Sequence, residues 1–271
     1  MLVATLMLAA GCAIGSDPGA VGESPSSSTE QPKAGDCRVA LRTYQMKVDC
    51  LEPHSAETVF VASLTGALSS ASEPPKATDE GLPVTFETCD QKAQEYLGVD
   101  WRSLPMRLGT EMPGPSDWDQ GSRWIRCALH LVDLSTAELI TFSGSFRRNL
   151  AELTLDCLTS DGASQPAIAR ADCREPHNLQ LAGVTSLDAS QPNPADDDWT
   201  AAEKACEPIV QKFVGLTRSQ YDSGYRVTMA AFADKTWWQA GDRVVQCFLD
   251  LGATTMTGSA KGKGTRVPHY T

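Results

Sequence analysis

The chain of 271 residues has no excess of basic side chains: 23 Lys and Arg stand against 34 Asp and Glu, a net charge of −11. Binding to nucleic acid and direct electrostatic docking on anionic lipid both depend on basic patches. We therefore predict no nucleic-acid partner. The acidic balance is interpreted as a solubility feature, and recognition of a cationic partner is the alternative.

Several patterns that carry chemistry are also missing. The sequence has no G-x-S-x-G nucleophile elbow and no C-x-x-C pair of the kind that zinc sites use, since its two nearest cysteines are 13 residues apart. No stretch approaches the roughly 18 consecutive apolar residues of a transmembrane helix. The sequence therefore predicts no catalytic residue, no cofactor and no bound metal.

Two cysteine-centred phrases each occur twice, about 120 residues apart and in the same order. Aligned without gaps, the first pair of phrases has 7 identities in 15 positions and the second has 6 in 14. A third match lies between them. The matched segments are Cys50–Leu64 with Cys173–Leu187, Cys89–Gly98 with Cys206–Gly215, and Trp118–Leu131 with Trp238–Leu251. Three collinear matches predict a duplication, and the long period makes each copy a small domain rather than a solenoid unit.

The cysteines divide evenly between the two copies. Nine are present, and without Cys12 four remain in each copy, which is typical of a disulfide framework in an oxidising compartment rather than of a zinc site. Sequence alone leaves three pairings per copy. The apolar stripe of the helix and the core face of the strand that follows the helix each contain a cysteine, and this favours one pair, with the other following by elimination. The favoured pairs are Cys89–Cys127, Cys206–Cys247, Cys37–Cys50 and Cys157–Cys173.

Each copy is interpreted as strand, strand, helix, strand, strand. In the first copy the strands are predicted around Met46–Cys50, at Thr58–Leu64, at Ile125–Leu131 and at the closing phrase that begins with Phe142; Met256 begins the equivalent closing phrase of the second copy. The first helix is predicted at Thr85–Leu97, with an apolar stripe of Phe86, Cys89, Ala93 and Leu97 at helical spacing. Gly98 is predicted as its left-handed terminator. The second is predicted to begin with a capping box at Thr200–Glu203, and its apolar stripe is predicted to be Ala202, Cys206, Ile209 and Phe213. The fold class is α+β: two tandem repeats, each a small antiparallel sheet packed by one helix and stapled by two disulfides.

The amino terminus has the pattern of a bacterial lipoprotein. Residues Leu2–Ala10 are almost wholly apolar, and small residues precede Cys12, so we predict that the Cys12 thiol carries a lipid. A false lipoprotein motif is the alternative, because no Lys or Arg precedes the apolar stretch. The predicted segments are a signal segment (1–11), a disordered tether (12–34), two repeats (35–149 and 150–262) and a flexible tail (263–271).

The two Glu-Pro-His turns and one tryptophan pair are the candidate site residues. Glu52 with His54, and Glu175 with His177, could offer nitrogen and oxygen ligands to a cation. The alternative is that each histidine orders its turn by a backbone hydrogen bond beside a disulfide. The structural interpretation is favoured because both copies keep the histidine. Trp237 and Trp238 form a candidate contact site, although burial is the commoner outcome for tryptophan.

As a set, these motifs resemble the actinobacterial septum formation domain. They are the Gly35-Asp-Cys37 opening, the C-x-x-P-H turn, the helix cysteine, the W-x-x-G-x-R-x-x-x-C strand and the closing small-Gly-Ser phrase. The resemblance covers about 35–149 and 153–262, and the second copy departs from it only at its opening, which lacks the glycine. It implies a membrane-anchored or lipid-anchored extracytoplasmic protein linked to division and the envelope. It implies no activity, ligand or catalytic residue.

Three functions remain open at this point. The first is a lipid-anchored protein on the extracytoplasmic face of the cell membrane that binds an envelope or division protein without catalysis. The second is a binding protein for a small ligand or wall fragment, held in a cleft between the two copies. The third is an envelope enzyme. A deep aromatic cleft would favour the second, converging catalytic groups the third, and a filled surface the first.

Overall fold

The computed structural model of the protein describes residues 31–41, 44–75, 82–162, 167–188, 190, 199–222, 224, 226–228, 238 and 241–271. Residues Gln31–Thr271 form one compact unit. Residues 1–30, and with them Cys12 and most of the expected tether, lie outside the described residues. No helix within the described ranges is both long enough and apolar enough to cross a membrane.

The first half of the chain forms a five-stranded antiparallel sheet. Its strands are β1 (Cys37–Leu41), β2 (Tyr44–Val48), β3 (Ala56–Ser63), β4 (Met106–Glu111) and β5 (Trp124–Leu131), in the order β2-β1-β3-β5-β4. Three helices accompany them: α1 (Gly66–Ser70), α2 (Leu82–Leu97) and α3 (Pro115–Asp119). Only α2 is long, and it begins three residues before the predicted start.

The second half forms another five-stranded antiparallel sheet. Its strands are β6 (Leu158–Ser160), β7 (Ile168–Arg170), β8 (Leu179–Ser186), β9 (Arg226–Thr228) and β10 (Val244–Asp250), in the order β7-β6-β8-β10-β9. Its helices are α4 (Leu150–Leu153), α5 (Thr200–Val214) and α6 (Arg218–Tyr221). Strand for strand, this order corresponds to that of the first sheet. The predicted combination of antiparallel sheets with helices is confirmed at this level.

A β-bulge occurs at the same place in both sheets. Val59 of β3 has no partner in the register with β5, and Ala182 of β8 has none in the register with β10. These two residues occupy the same position in the aligned phrases. A bulge adds one residue to one strand and sharpens the local twist, and both extra residues pack against their hydrophobic cores.

The two long helices bury cysteine-containing stripes against the sheets. In α2 the predicted stripe is confirmed, and its residues are at most 4% exposed: Phe86, Cys89, Ala93 and Leu97. In α5 the fully buried residues are Ala202, Cys206, Val210 and Val214, whereas Ile209 and Phe213 are only partly buried. Ile209 and Phe213 pack against the core at the edge of the stripe, and Val210 and Val214 occupy its centre, because the helix faces the sheet about one residue further round than predicted.

The amino-terminal cap of α5 also differs from the prediction. Thr200 is the first residue of the helix, and Trp199 stands at the cap without a side-chain hydrogen bond. A capping box is present instead at Thr217, whose hydroxyl accepts from the Gln220 amide at the start of α6. The terminator prediction is confirmed, since Gly98 and Gly215 have φ values of 76° and 83°, a conformation in which glycine carries no Cβ penalty.

The structure contains four disulfides, each closed between residues of the same half. Two tie the long helices to the central strands, and two close the hairpins that open each sheet. The pairs are Cys89–Cys127, Cys206–Cys247, Cys37–Cys50 and Cys157–Cys173. They are the pairs that the helix stripe and the strand face favoured.

Three further expectations need correction. Strands β1 and β4 were not predicted, because their short sequences carry no strong alternation. The expected closing strands reduce to isolated bridges, at Phe142 in the first half and Met256 in the second. The carboxyl-terminal tail is not loose: Val267 is 1% exposed, and the Thr271 carbonyl accepts a hydrogen bond from Ala253 over 2.9 Å.

Candidate functional site

Each Glu-Pro-His turn is tied by backbone hydrogen bonds to the phrase that closes its half. The His54 amide donates to the Phe142 carbonyl over 3.0 Å and the Phe142 amide donates back over 2.9 Å. His177 and Met256 make the same two bonds at the same lengths. Both histidines are 0% exposed. The two imidazoles therefore occupy equivalent positions, away from water and four residues after a bridged cysteine.

A backbone carbonyl determines the tautomer of each imidazole. His54 Nδ1 lies 2.9 Å from the carbonyl oxygen of Glu52, and His177 Nδ1 lies 2.8 Å from that of Glu175. A carbonyl oxygen can only accept, so Nδ1 carries a proton in both rings, and in the neutral form of such a ring Nε2 carries a lone pair. This is the hydrogen bond expected of a histidine that orders its turn.

The glutamates of the two turns do not share a cation site with the histidines. The side chains of Glu52 and Glu175 are exposed, whereas both imidazoles are buried and contact only the carbonyls of these residues. The nitrogen and oxygen donors considered from the sequence thus point into different environments. The structure does not bring those pairs together.

In the second half, a neutral side chain completes the histidine turn. Gln180 Nε2 donates to the lone pair of His177 Nε2 over 2.5 Å, and Gln180 Oε1 accepts from the Ala260 amide over 2.8 Å. Gln180 is only 1% exposed. Every polar atom of this arrangement that faces the core has a partner of the right polarity, as a buried site requires.

In the first half, a carboxylate takes the place of that amide. Glu57 is 0% exposed, accepting from the Phe146 amide over 2.9 Å and from the Tyr96 hydroxyl over 3.2 Å. Burial raises the pKa of Glu57 above its ordinary value, although both hydrogen bonds favour the charged form. Its oxygen Oε1 lies 3.9 Å from Nε2 of His54. One half therefore buries an ionisable group where the other buries a neutral one.

A second buried charge cluster joins the two halves. The guanidinium of Arg102 lies 2.8 Å from a carboxylate oxygen of Asp90 and 2.8 Å from one of Asp242, and it stacks 4.2 Å from the Trp101 ring. The Arg102 carbonyl also accepts a hydrogen bond from the Gln246 side chain. Because Asp242 and Gln246 belong to the second half, this cluster fixes the two sheets against each other.

The space beside this cluster is almost filled. The cavity lined by Arg102, Met106 and Asp242, among others, has a volume of about 20 Å³. That volume can hold one or two water molecules and is far below the size of a small-ligand site. A deep aromatic cleft between the two halves would have favoured a ligand-binding function. The described residues around Arg102 form a small cavity instead.

A third cluster lies on the first sheet. Glu111 accepts from His130 over 3.0 Å and pairs with the guanidinium of Arg126. Burial alone would raise the pKa of Glu111, but the His130 hydrogen bond and the Arg126 charge outweigh it and lower the pKa to about 2. His130, for which no role was predicted, is thus part of a network with Glu111 and Arg126 within the sheet.

This network predicts acid sensitivity. A carboxylate whose pKa falls on folding contributes stability above its unfolded pKa, near 4.5, and loses it as the pH falls towards 2. We expect Glu111→Gln to lower the free energy of unfolding at pH 7 by roughly 2–3 kcal/mol. Urea unfolding from pH 7 to pH 2.5 should give converging curves for the variant and the wild type. Parallel curves would contradict the assignment.

Of the tryptophan pair, only Trp238 lies among the described residues. It is 7% exposed and belongs to the second hydrophobic core, with the Arg243 guanidinium stacked 4.2 Å from its ring. Trp118 and Arg123 make the same stack in the first half at 3.8 Å. The expectation that Trp238 forms a contact surface is therefore corrected: the ring fills the core and its face is covered by arginine.

The fold and these buried sites define a class: an α+β protein with two disulfide-stapled sheets, each with a buried histidine turn. The sequence profile described as septum formation matches residues 34–247 in one stretch that runs from before β1 into β10. The match covers well over half of the chain, so the protein belongs to the septum formation family. Neither the curated proteins nor the solved structures contain a match to this chain.

The roles of Glu57 and Asp242, the charged residues that contact His54 and Arg102, were not predicted from the sequence. The alignment of the repeated phrases nevertheless marks both positions. Glu57 stands opposite Gln180 in the first repeated phrase, and Asp242 stands opposite Ser122 in the second. Both are positions at which the copies differ in charge. Such a departure inside a matched phrase marks a residue whose environment has changed.

Proposed function

We propose that this protein is an extracytoplasmic envelope protein, anchored in an actinobacterial cell membrane by lipid on Cys12, that binds an envelope or division protein without catalysis. The four disulfides carry the proposal, because such bridges persist in oxidising compartments. Membership of the septum formation family adds the link to division.

We further propose that the two halves are tandem copies of one module, each a sheet packed by one long helix. The support is the shared strand order, the bulge at Val59 and Ala182, and the equivalent positions of the disulfides. Each of these features recurs at the aligned residues. Independent origins would require the same register irregularity to arise twice.

The proposal that the protein binds without catalysis is supported by the cysteines and histidines, which are bridged or buried. The eight described cysteines are all bridged, and both histidines of the turns are closed off from solvent. A wider groove of about 750 Å³ is lined by residues 72–75 together with Met112, Pro113, Pro115 and Asp119. That lining includes the Ser72 hydroxyl and the carboxylates of Glu73 and Asp119, but among the described residues no hydrogen bond joins this hydroxyl to a base, as an activated nucleophile requires.

The histidine turn of the first half presents the surface that best fits a protein partner. Leu51 is 79% exposed and directly follows the bridged Cys50, and Met46, which is 45% exposed, lies on β2 four residues before that cysteine. A disulfide and a buried histidine hold this turn rigid, so an apolar contact here loses little conformational entropy on binding. The corresponding residue of the second half is Arg174, so the two halves differ at this surface.

The anchor is tested by Cys12→Ala in the full chain. We expect the variant to move from the membrane fraction to the soluble envelope fraction, since one covalent lipid anchor would be lost. Ser16→Ala is the matched control and should remain in the membrane. A Cys12→Ala variant that stays membrane-bound, or a mature wild type without acyl mass, would refute lipid anchoring.

Partner binding is tested by Leu51→Asp in an epitope-tagged full chain. We expect wild-type protein to concentrate at division septa by immunofluorescence, and the variant to lose most of that enrichment while melting within a few degrees of the wild type. Arg174→Asp is the equivalent change in the second half and should leave localisation unchanged. An even distribution of wild-type protein around the envelope would contradict the septal role.

A further inference from the structure

The His54 imidazole faces the Glu57 carboxylate with an unshared lone pair. Nδ1 is committed to the Glu52 carbonyl over 2.9 Å, which leaves Nε2 as an acceptor. Within the described part of the chain this buried Nε2 has no hydrogen-bond partner, and Glu57 Oε1 is 3.9 Å away. Two acceptors that face each other in a water-excluded core are stabilised when a cation lies between them.

A third donor atom converges on the same point. Cys37 Sγ lies 3.5 Å from Glu57 Oε1, and one donor atom from each of Cys37, His54 and Glu57 lies within 4.8 Å of the other two. Tetrahedral zinc with bonds of about 2.0–2.3 Å separates its ligand atoms by roughly 3.3–3.6 Å. The observed separations need shifts of only a few tenths of an ångström to match the sulfur–oxygen and nitrogen–oxygen edges.

The second half lacks this set of donors. Gln180 replaces Glu57, and its amide already donates to His177 Nε2 over 2.5 Å. The lone pair that is unshared in the first half is therefore occupied in the second. Of the two hairpin bridges, Cys37–Cys50 has both a carboxylate and an unpartnered imidazole nitrogen beside it, and Cys157–Cys173 has neither.

We propose that opening the Cys37–Cys50 disulfide with a dithiol reductant creates a site for zinc or a similar divalent transition metal, held by Cys37, His54 and Glu57. In the closed bridge, the Cys37 sulfur is bonded to Cys50 and is no thiolate ligand. The site is therefore formed by reduction, and a water molecule or Cys50 supplies the fourth ligand.

The exposure of the two sulfur-bearing residues sets the direction of the exchange. Cys37 is 1% exposed, whereas Cys50 is partly exposed. One thiolate of the reductant attacks Cys50 Sγ, the disulfide bond breaks, and Cys37 leaves as a thiolate. The second thiol of the reductant then displaces Cys50 as a free thiol, and the reductant becomes a disulfide. Two electrons pass to the bridge, one proton is released to solvent, and the metal bonds to the Cys37 thiolate.

The test uses full-length Cys50→Ser, which leaves Cys37 as a free thiol without any reductant and keeps the other three bridges. Every variant also carries Cys12→Ala, so that no second thiol competes. The probe is Co²⁺, followed by zinc competition. We expect one equivalent of Co²⁺ to bind with a thiolate charge-transfer band and the intense visible bands of tetrahedral cobalt, and zinc to displace it. The parent with its bridge intact should show neither band.

Matched variants separate this site from adventitious binding. Adding Glu57→Gln to Cys50→Ser should weaken cobalt binding at least about tenfold, because one ligand becomes a weak neutral donor. Cys173→Ser frees Cys157 in the second half and should give no thiolate band, whereas Cys173→Ser with Gln180→Glu should gain one. Absence of the band in Cys50→Ser, persistence of full affinity with Glu57→Gln, or failure of Cys50→Ser to fold with or without zinc would each overturn the proposal.

Discussion

Production of this chain in a reducing cytosol should yield mostly unfolded or aggregated protein. The chain-entropy estimate gives roughly 3 kcal/mol for each of the two shorter loops, of 13 and 16 residues, and roughly 4 kcal/mol for the two loops of 38 and 41 residues. Their sum of roughly 14 kcal/mol lies near the top of the 5–15 kcal/mol by which native domains are usually stable. Exported protein should show a cooperative urea transition that disappears after full reduction.

Variants that each lack one disulfide compare the contributions of a helix-to-strand bridge and a hairpin bridge to stability. Cys206→Ala with Cys247→Ala should lose more stability than Cys157→Ala with Cys173→Ala, by at least about 1 kcal/mol, because its loop is longer. In addition, both of its residues are 0% exposed, so their removal also leaves a cavity. Urea unfolding of the two double variants measures the difference directly. Equal losses, or a larger loss for the hairpin bridge, would contradict this ranking.

Replacing Arg102 by methionine should destabilise the protein by about 3–5 kcal/mol. Arg102 and Asp242 have side chains that are only 6% and 11% exposed, 2.8 Å apart. Removing one partner leaves the other charge buried without compensation, which costs more than the ion pair itself contributes. Because the pair joins the two halves, the variant should also show increased hydrogen exchange in the first residues of β10.

Two control variants test whether a buried, unpaired charge causes the loss of stability in Arg102→Met. Arg174→Met removes an arginine from an exposed pair with Asp172, whose side chains are 88% and 45% exposed, and should leave the free energy of unfolding nearly unchanged because solvent screens such a pair. Arg102→Met combined with Asp242→Leu removes both charges and should recover most of the loss. If the double variant is no more stable than Arg102→Met alone, burial of an unpaired charge is not the cause.

The sequence predicted most of what depends on local pattern. The stripe of α2 and the left-handed terminators at Gly98 and Gly215 follow from 3.6-residue periodicity and from glycine's freedom at positive φ. The predicted capping box at Thr200 was wrong, also because of local interactions: Thr200 is the first helical residue and not the cap. A threonine followed by Glu203 fits both the cap and the first helical turn, and hydrogen bonds of neighbouring residues decide between the two.

What the sequence by itself determined is the even cysteine framework, the repeated phrases and the α+β class, because each is written in the spacing of residues along one chain. What only the tertiary structure decided is which charges meet. Arg102 and Asp242 are 140 residues apart, and Glu57 contacts Tyr96 39 residues away. The free energy of a buried charge depends on atoms a few ångströms from it, and strand order, not sequence distance, places those atoms.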